Sequence, residues 1–274
     1  MNKFATKKTF SKKYTLGKSF KRKCTNIVVS GCNGKMGQVL CSAIRNRDNC
    51  NVCAGIDTNN NINYPFPTFS TISDLNVESD VIIDFSHPNS LDSLLSFAIE
   101  NKKPLVICTT GFAEEQINKI KSAANSAPIF FSGNMSIGIN LLIELSRMAT
   151  NAIGSNFDIE IIEKHHNQKI DAPSGTALMI ANEINSCLNN KMSYVYDRHS
   201  KREKRSKNEI GIHSVRGGTI VGEHEVIFAG NTESISISHS AQSKEIFAEG
   251  SINAALFLLN KNPGLYNMRD LLKQ

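Results

Sequence analysis

Short apolar runs alternate with amphipathic stretches through the first half of the chain, and that alternation predicts strands feeding helices. Residues 26–30 form a β-branched run, the glycine-containing GCNGKMG follows at 31–37, and residues 38–45 carry apolar side chains at helical spacing. Residues 51–56, 81–85, 105–108 and 129–131 read as further strands, with helices at 91–100 and 114–124. Strands separated by helices imply a parallel sheet joined by right-handed crossovers.

The pattern changes after Asn134. A helix over 139–153 leads into an alternating strand at 157–164 and a helix at 174–188, and strand-like segments follow at 210–216, 219–229 and 234–240. This half reads as α+β with a mixed or largely antiparallel sheet. Residues 247–259 are helical again and are placed to return the chain to the first unit. The expected division is a cofactor domain over 25–135 plus 250–274, and a substrate and oligomerisation domain over 136–249. The basic stretch 198–207 reads as a solvated loop, with a charged lid over an anionic ligand as the alternative.

Composition changes this picture at one end only. Of the 31 Lys and Arg residues, nine fall in residues 1–24, which hold no acid; the remainder carries 22 basic against 25 acidic residues. The overall charge of +6 is therefore a property of the tail, and the body gives no argument for a nucleic-acid partner. The tail reads as a solvated extension, with a targeting peptide as the other reading. Apolar runs fall short of the ~20 residues that span a bilayer, so no membrane partner is expected. Seven scattered cysteines suit a reducing compartment, and a cytoplasmic location is expected. The lone Cys50-x-x-Cys53 has no second pair to complete a metal site.

The glycine turn sits where a dinucleotide needs it. A Gly-rich loop between strand and helix lets the main chain approach a pyrophosphate, while the open N–H groups of the helix start stabilise its charge. Gly31, Gly34 and Gly37 have GxxGxxG spacing, and Asp57 closes the next strand 20 residues after Gly37, as expected of a carboxylate that accepts from ribose hydroxyls. Lys35 in the turn is a candidate cation for a 2′-phosphate, so NADH and NADPH both stay open. Two later strand ends, DFSHP at 84–88 and CTTGF at 108–112, place Ser86, Thr109, Thr110 and Gly111 where ligands lie in parallel sheets, and Ser132, Gly133, Asn134 and Met135 end the last strand in the same way.

The densest chemistry is in EIIEKHHNQKIDAPSGTA at 160–177. His165, His166 and Lys169 fall at a strand end, followed by a Ser-Gly-Thr helix start in which Ser174 is the expected N-cap after Pro173. A histidine titrates near neutrality and suits proton donation. Lysine adds a fixed charge, and the N–H groups of Gly175 and Thr176 suit a carboxylate. Adjacent histidines point to opposite faces of a strand, so no metal site is expected. Either histidine alone could equally be a satisfied side chain at a strand end. Together the residues predict an anionic, multiply carboxylated small molecule.

These residues resemble the 4-hydroxy-tetrahydrodipicolinate (dihydrodipicolinate) reductase family. The resemblance extends over GCNGKMG, DFSHP, TTGF at 109–112, NMSIGIN at 134–140, VRGGTIVGEHEVIF at 215–228 and the terminal MRDLL, covering nearly all of 26–272. It implies a Rossmann-like parallel-sheet cofactor domain, an α+β substrate domain with a mixed open sheet, and a homotetramer joined through the substrate-domain sheets. It also implies reduction of a cyclic dicarboxylate with NADH or NADPH and loss of water. On this resemblance His165 is the proton donor and acceptor and Lys169 a proton donor, while His166, Gly175 and Thr176 bind substrate. Gly31, Cys32, Asn33, Gly34, Lys35, Met36, Asp57, Cys108, Thr109, Thr110, Ser132, Gly133, Asn134 and Met135 bind cofactor. Family members often have Gly at Cys108 and Arg at Lys35.

Two other functions stand beside this one: a related NAD(P)-dependent amino-acid dehydrogenase, which a substrate panel separates, and a non-catalytic NAD(P)-binding sensor, which would bind cofactor without turnover. The segregation of charge generates one prediction. Deleting residues 1–23 is expected to leave kcat/KM unchanged; a large loss in steady-state assays would show that the basic segment takes part in catalysis.

Overall fold

The apolar runs of the first half lie in a sheet covered on both faces, which is why they lack the polar alternation of a half-exposed strand. In the computed structural model, which describes residues 24–59, 62–154 and 156–273, the elements in order are β1 (Thr25–Ser30), α1 (Lys35–Arg45), β2 (Cys50–Ile56), β3 (Thr68–Phe69), β4 (Val81–Asp84), α2 (Leu91–Glu100), β5 (Leu105–Ile107), α3 (Glu114–Ala123) and β6 (Pro128–Phe131). Then come α4 (Ile137–Ile153), β7 (Asp158–His165), α5 (Gly175–Cys187), β8 (Ser193–Val195), β9 (Glu209–Arg216), β10 (Gly222–Ala229), β11 (Ser234–Ala241), α6 (Glu245–Leu258), β12 (Gly264–Tyr266) and α7 (Met268–Leu272). The basic tail expected at 1–24 lies, but for Cys24, outside the described residues.

The first sheet runs β12-β6-β5-β4-β1-β2-β3 and is parallel throughout. Ile27, Val29 and Ile83 face α1 and α6, whereas Val28, Ile82 and Ile107 face α2 and α3. Strand order reverses between β1 and β4, and ligands in such sheets bind outside the carboxyl ends at that point. Both the glycine turn after β1 and the DFSHP segment after β4 open there. The returning helix α6 starts at Glu245, with Ala248 already in this core, about one turn ahead of the division expected at 250.

The second sheet, β11-β10-β7-β9-β8, is mixed: β10 is antiparallel to β11 and β7, while β7–β9 and β8–β9 are parallel. One face packs on α4 and α5 through Ile159, Ile161, Ile210, Ile212, Val226 and Phe228. The other carries ion pairs such as Lys164–Glu223 at 2.9 Å and Arg205–Glu160 at 2.8 Å. The period of two places Glu163 and His165 on the same face as Ile159 and Ile161. A carboxylate thus enters the core side of the sheet.

Several details differ from the pattern in the sequence. α1 begins at Lys35, because extended Gly34 is its N-cap. β10 begins at Gly222, three residues later than expected at 219. Gly217 and Gly218 make a turn across the end of β7, with Gly217 N–H donating to His165 O at 3.0 Å and Gly218 at φ +47°. The short edge strands β3, β8 and β12 and the five-residue α7 are too brief for a periodicity to show. α7 is held by a capping box between Asn267 and Asp270, and by Arg269, which reaches Glu144 of α4 at 2.6 Å and Glu183 of α5 at 3.0 Å.

The glycine turn allows α1 to sit hard against β1. A Cβ on Gly37 would lie 2.0 Å from Gly31 O, whereas one on Gly34 would lie 3.3 Å from the same atom. Gly37→Ala is therefore expected to destabilise the fold by ~1–3 kcal/mol or more, as overpacking does, and Gly34→Ala by clearly less. Urea unfolding of both variants checks this; equal midpoints would contradict it.

Candidate active site

Main-chain atoms dominate the first half of the site. Gly31 has φ +77°, and a Cβ there would strike the Phe85 carbonyl at 2.6 Å. Only glycine brings this turn so close to the segment after β4. α1 starts with no side-chain cap and no acid in its first turn, which leaves N–H groups for an anionic ligand. Asp57 is fixed at the end of β2: its Oδ2 accepts from Asn33 N–H and its Oδ1 from Asn59 N–H, both at 2.9 Å.

Two cavities meet along this edge. One of about 430 Å³ is lined by Gly31, Gly34 and Asp57; another of about 710 Å³ is lined by Met36, Cys108, Thr109, Thr110 and Ser132 through Met135. Phe85, Ser86 and His87 line both, so the two form one groove over the strand ends. Its volume suits a cofactor. The cradle that a Cβ would fill, the uncapped helix and the fixed Asp57 fit a dinucleotide.

A buried carboxylate organises the wider end. Asp84 is 2% exposed and accepts from Ser86 Oγ at 2.5 Å and Thr109 Oγ1 at 2.7 Å. Burial pushes its carboxyl above the usual range, against the pull of those hydroxyls and of Ser30. With their protons given to Asp84, the Ser86 and Thr109 oxygens offer lone pairs to a ligand's donors. Burial also pushes the Cys108 thiol well up, so it lines the groove as an unreactive thiol.

Several expected cofactor residues take other positions. The Cys32 side chain is wholly buried in the core beside Gly55, so only its main chain faces the turn. Asn33 turns its side chain to Asn59 O. Lys35 is exposed at the first turn of α1 and lines neither cavity. The Asn134 side chain donates to Thr176 Oγ1 at 3.0 Å and accepts from Ser136 N–H at 2.8 Å, tying the end of β6 to the start of α5.

The second half of the site is built around Glu163, whose side chain is fully buried. It meets Arg216 Nη1 and Nη2 at 2.8 and 2.7 Å, His165 Nδ1 at 2.7 Å and Ser174 N–H at 3.0 Å. Burial works to raise its carboxyl, but hydrogen bonds from Arg216, His165, Ser214 and Ser174 N–H prevail and hold it at about 2. Ser174 caps α5 by accepting from Ala177 N–H at 3.1 Å, and its Oγ also meets His224 Nε2 at 3.1 Å. His224 is pushed down to about 4 by burial and then by the neighbouring His165, whose ring it meets edge-on with centroids 5.3 Å apart. The neutral imidazole of His224 therefore adds no charge to the site near neutral pH.

Of the expected substrate residues, Thr176 lines the wider cavity, while Gly175 presents open space at the helix start. His165, His166 and Lys169 lie outside the lining of that cavity. Lys169 Nζ pairs with Asp171 at 2.8 Å, and His166 is half-buried. Sequence reasoning missed the roles of Glu163, Arg216, His224 and Asp84. Glu163 had a signal, because a carboxylate two residues before a histidine in a strand shares its face. Arg216 is 53 residues from Glu163 and had none. Among the described residues, no three His, Cys, Asp or Glu side chains gather as metal ligands, and no helix is long and apolar enough to cross a membrane.

Comparison with known proteins agrees with this geometry. The family described as Dihydrodipicolinate reductase, N-terminus, matches residues 25–135, and Dihydrodipicolinate reductase, C-terminus, matches residues 138–272. The chain is 51% identical over 250 residues to a 4-hydroxy-tetrahydrodipicolinate reductase of Caldanaerobacter subterraneus subsp. tengcongensis, covering 90% of this chain and 98% of the relative. It is 48% identical to one from Clostridium tetani, covering 90% and 96%. A dipicolinate-bound dihydrodipicolinate reductase from Paenisporosarcina sp. TG-14 superposes with a TM-score of 0.75 at 25% identity, over 89% of this chain and 97% of that one. With both halves matched and relatives near half identity over almost their whole length, the chain belongs to the dihydrodipicolinate reductase family.

Proposed function

We propose that this chain reduces 4-hydroxy-tetrahydrodipicolinate to tetrahydrodipicolinate with NADH or NADPH, with loss of water, in lysine and diaminopimelate biosynthesis, and that His165 handles the proton. The observation that carries the assignment of roles is the juxtaposition at the end of β7: an imidazole bonded to a buried carboxylate stands beside an open helix N-terminus, and Thr176 of that helix lines the dinucleotide groove.

Residues 25–135 with 250–274 form the cofactor domain in this reading, and 136–249 the substrate domain. The main chain from Gly31 to Met36 holds the pyrophosphate, Asp57 accepts from ribose hydroxyls, and Cys108, Thr109, Thr110 and Ser132 through Met135 line the nicotinamide end. When bound, the dinucleotide supplies the hydride. The N–H groups of Gly175 and Thr176 and the side chain of His166 take substrate carboxylate, which the positive end of α5 stabilises. His165 exchanges the proton through the nitrogen not bonded to Glu163. Lys169 adds a second donor once it leaves Asp171, a pair with an exposed carboxylate that a substrate carboxylate can replace. A homotetramer joined through the mixed sheets, in the cytoplasm, completes the proposal.

His165→Gln is expected to lower kcat by about two orders of magnitude, the usual scale of general-acid catalysis, with cofactor affinity unchanged. Steady-state reduction of enzymatically generated substrate, run with NADH and NADPH in parallel, checks both reaction and role. Near-normal turnover by the variant would sink the assignment of His165.

A further inference from the structure

We infer that Glu163, braced by Arg216, is the positioning residue of this site: one buried carboxylate sets both the imidazole that carries the proton and the helix start that takes the substrate carboxylate. The inference rests on the reading of His165 as the proton carrier.

The two carboxylate oxygens divide the work. Oε2 meets His165 Nδ1 at 2.7 Å and Arg216 Nη1 at 2.8 Å; Oε1 meets Arg216 Nη2 at 2.7 Å and Ser174 N–H at 3.0 Å. An ionised carboxylate only accepts, so His165 must keep a proton on Nδ1, and Nε2 becomes the nitrogen that exchanges protons. Gly222 leaves room for that nitrogen, since a Cβ there would come within 3.1 Å of it. At the other oxygen, Glu163 takes the Ser174 N–H and leaves those of Gly175 and Thr176 open for a ligand. The proton carrier and the carboxylate seat are thus held to one rigid group, and catalytic geometry tolerates only about 0.5 Å of error.

Among the described residues, Glu163 is the one charged group hydrogen-bonded to the His165 ring. Glu163 comes from its own strand, Arg216 from β9, the neutral His224 from β10, and Lys169 from the loop that follows, paired with Asp171. Arg216 also donates to Asp171 O at 2.7 Å, so the same guanidinium braces the loop before Ser174. A buried ion pair with a purely structural role would affect stability alone once both charges are removed together. A positioning pair also affects the kinetics of the folded variant.

The test uses the full-length enzyme with both charges removed, Glu163→Gln with Arg216→Met, which avoids leaving one charge unpaired in the core. The folded double variant is expected to keep its affinity for NADH, lose about 10- to 100-fold in kcat and gain KM for the dicarboxylate. In that variant His165 should no longer be confined to the tautomer with its proton on Nδ1, as read by long-range proton–nitrogen NMR, because the Gln side chain offers both a donor and an acceptor to that nitrogen. Wild-type kcat and an unchanged His165 tautomer in that variant, with His165→Gln slow, would overturn the role of Glu163 and leave His165 in place. A fully active His165→Gln would instead remove the underlying reading. Should the double variant not fold, Arg216→Lys carries the test, because lysine keeps the charge and loses the two-pronged contact. A lowered kcat with unchanged NADH affinity is expected there, and unchanged kcat would overturn the inference.

Discussion

The contact between Glu163 and Arg216 is the constraint on which the substrate half of this protein depends. Taking a carboxylate out of water is costly, and removing one partner of a buried pair typically costs ~3–5 kcal/mol. Here five donors, two from Arg216 and one each from His165, Ser214 and Ser174, surround a fully buried group. Such a group tolerates little displacement. Strand register brings the donors together. In the parallel pairing of β7 with β9, Glu163 lies opposite Ser214 and His165 opposite Arg216; in the antiparallel pairing with β10, Glu163 lies opposite His224. A slip of one residue would turn the whole set to the other face of the sheet. Register and chemistry are therefore one constraint.

The cofactor half uses the same device in a different fold. Asp84 ends a fully buried strand and takes the protons of Ser86 and Thr109, which fixes the polar lining of the groove. Around it, close main-chain approach replaces side-chain contact, at Gly31 against Phe85 and at Gly37 against Gly31. The hydrogen bond from Asn134 to Thr176 then joins the groove to α5, and through Ser174 to Glu163. Each half thus holds one buried carboxylate, and the Asn134–Thr176 hydrogen bond crosses between the halves.

Much of this was legible in the residues. Short apolar runs with helices between them identified β1, β2, β4, β5 and β6 to within a residue or two, because burial on both faces leaves an unbroken pattern. The N-cap Ser174 and the glycine turn were visible because capping and tight turns are local. Edge strands of two or three residues left no periodicity, and the β9–β10 turn was read as strand because the Thr219-Ile220-Val221 run after Gly217 and Gly218 is β-branched. In the site, the residues proposed to touch ligand stood out by type, as His165 and Lys169 did. Those that hold them in place did not: Arg216 and His224 matter only through strand register, which no local pattern in one sequence encodes. Cys32, Asn33 and Lys35 were assigned by their place in the turn, yet their side chains are directed to the core, to Asn59 and to the exterior.

The central claim is that an ionised, buried Glu163 dictates which nitrogen of His165 exchanges protons, and long-range proton–nitrogen NMR correlations of the histidine rings read that directly. The account predicts that in the ligand-free protein, at a pH where the ring of His165 is neutral, the proton of His165 resides on Nδ1 and Nε2 is bare. A His165 with its proton on Nε2 and a bare Nδ1 would contradict it.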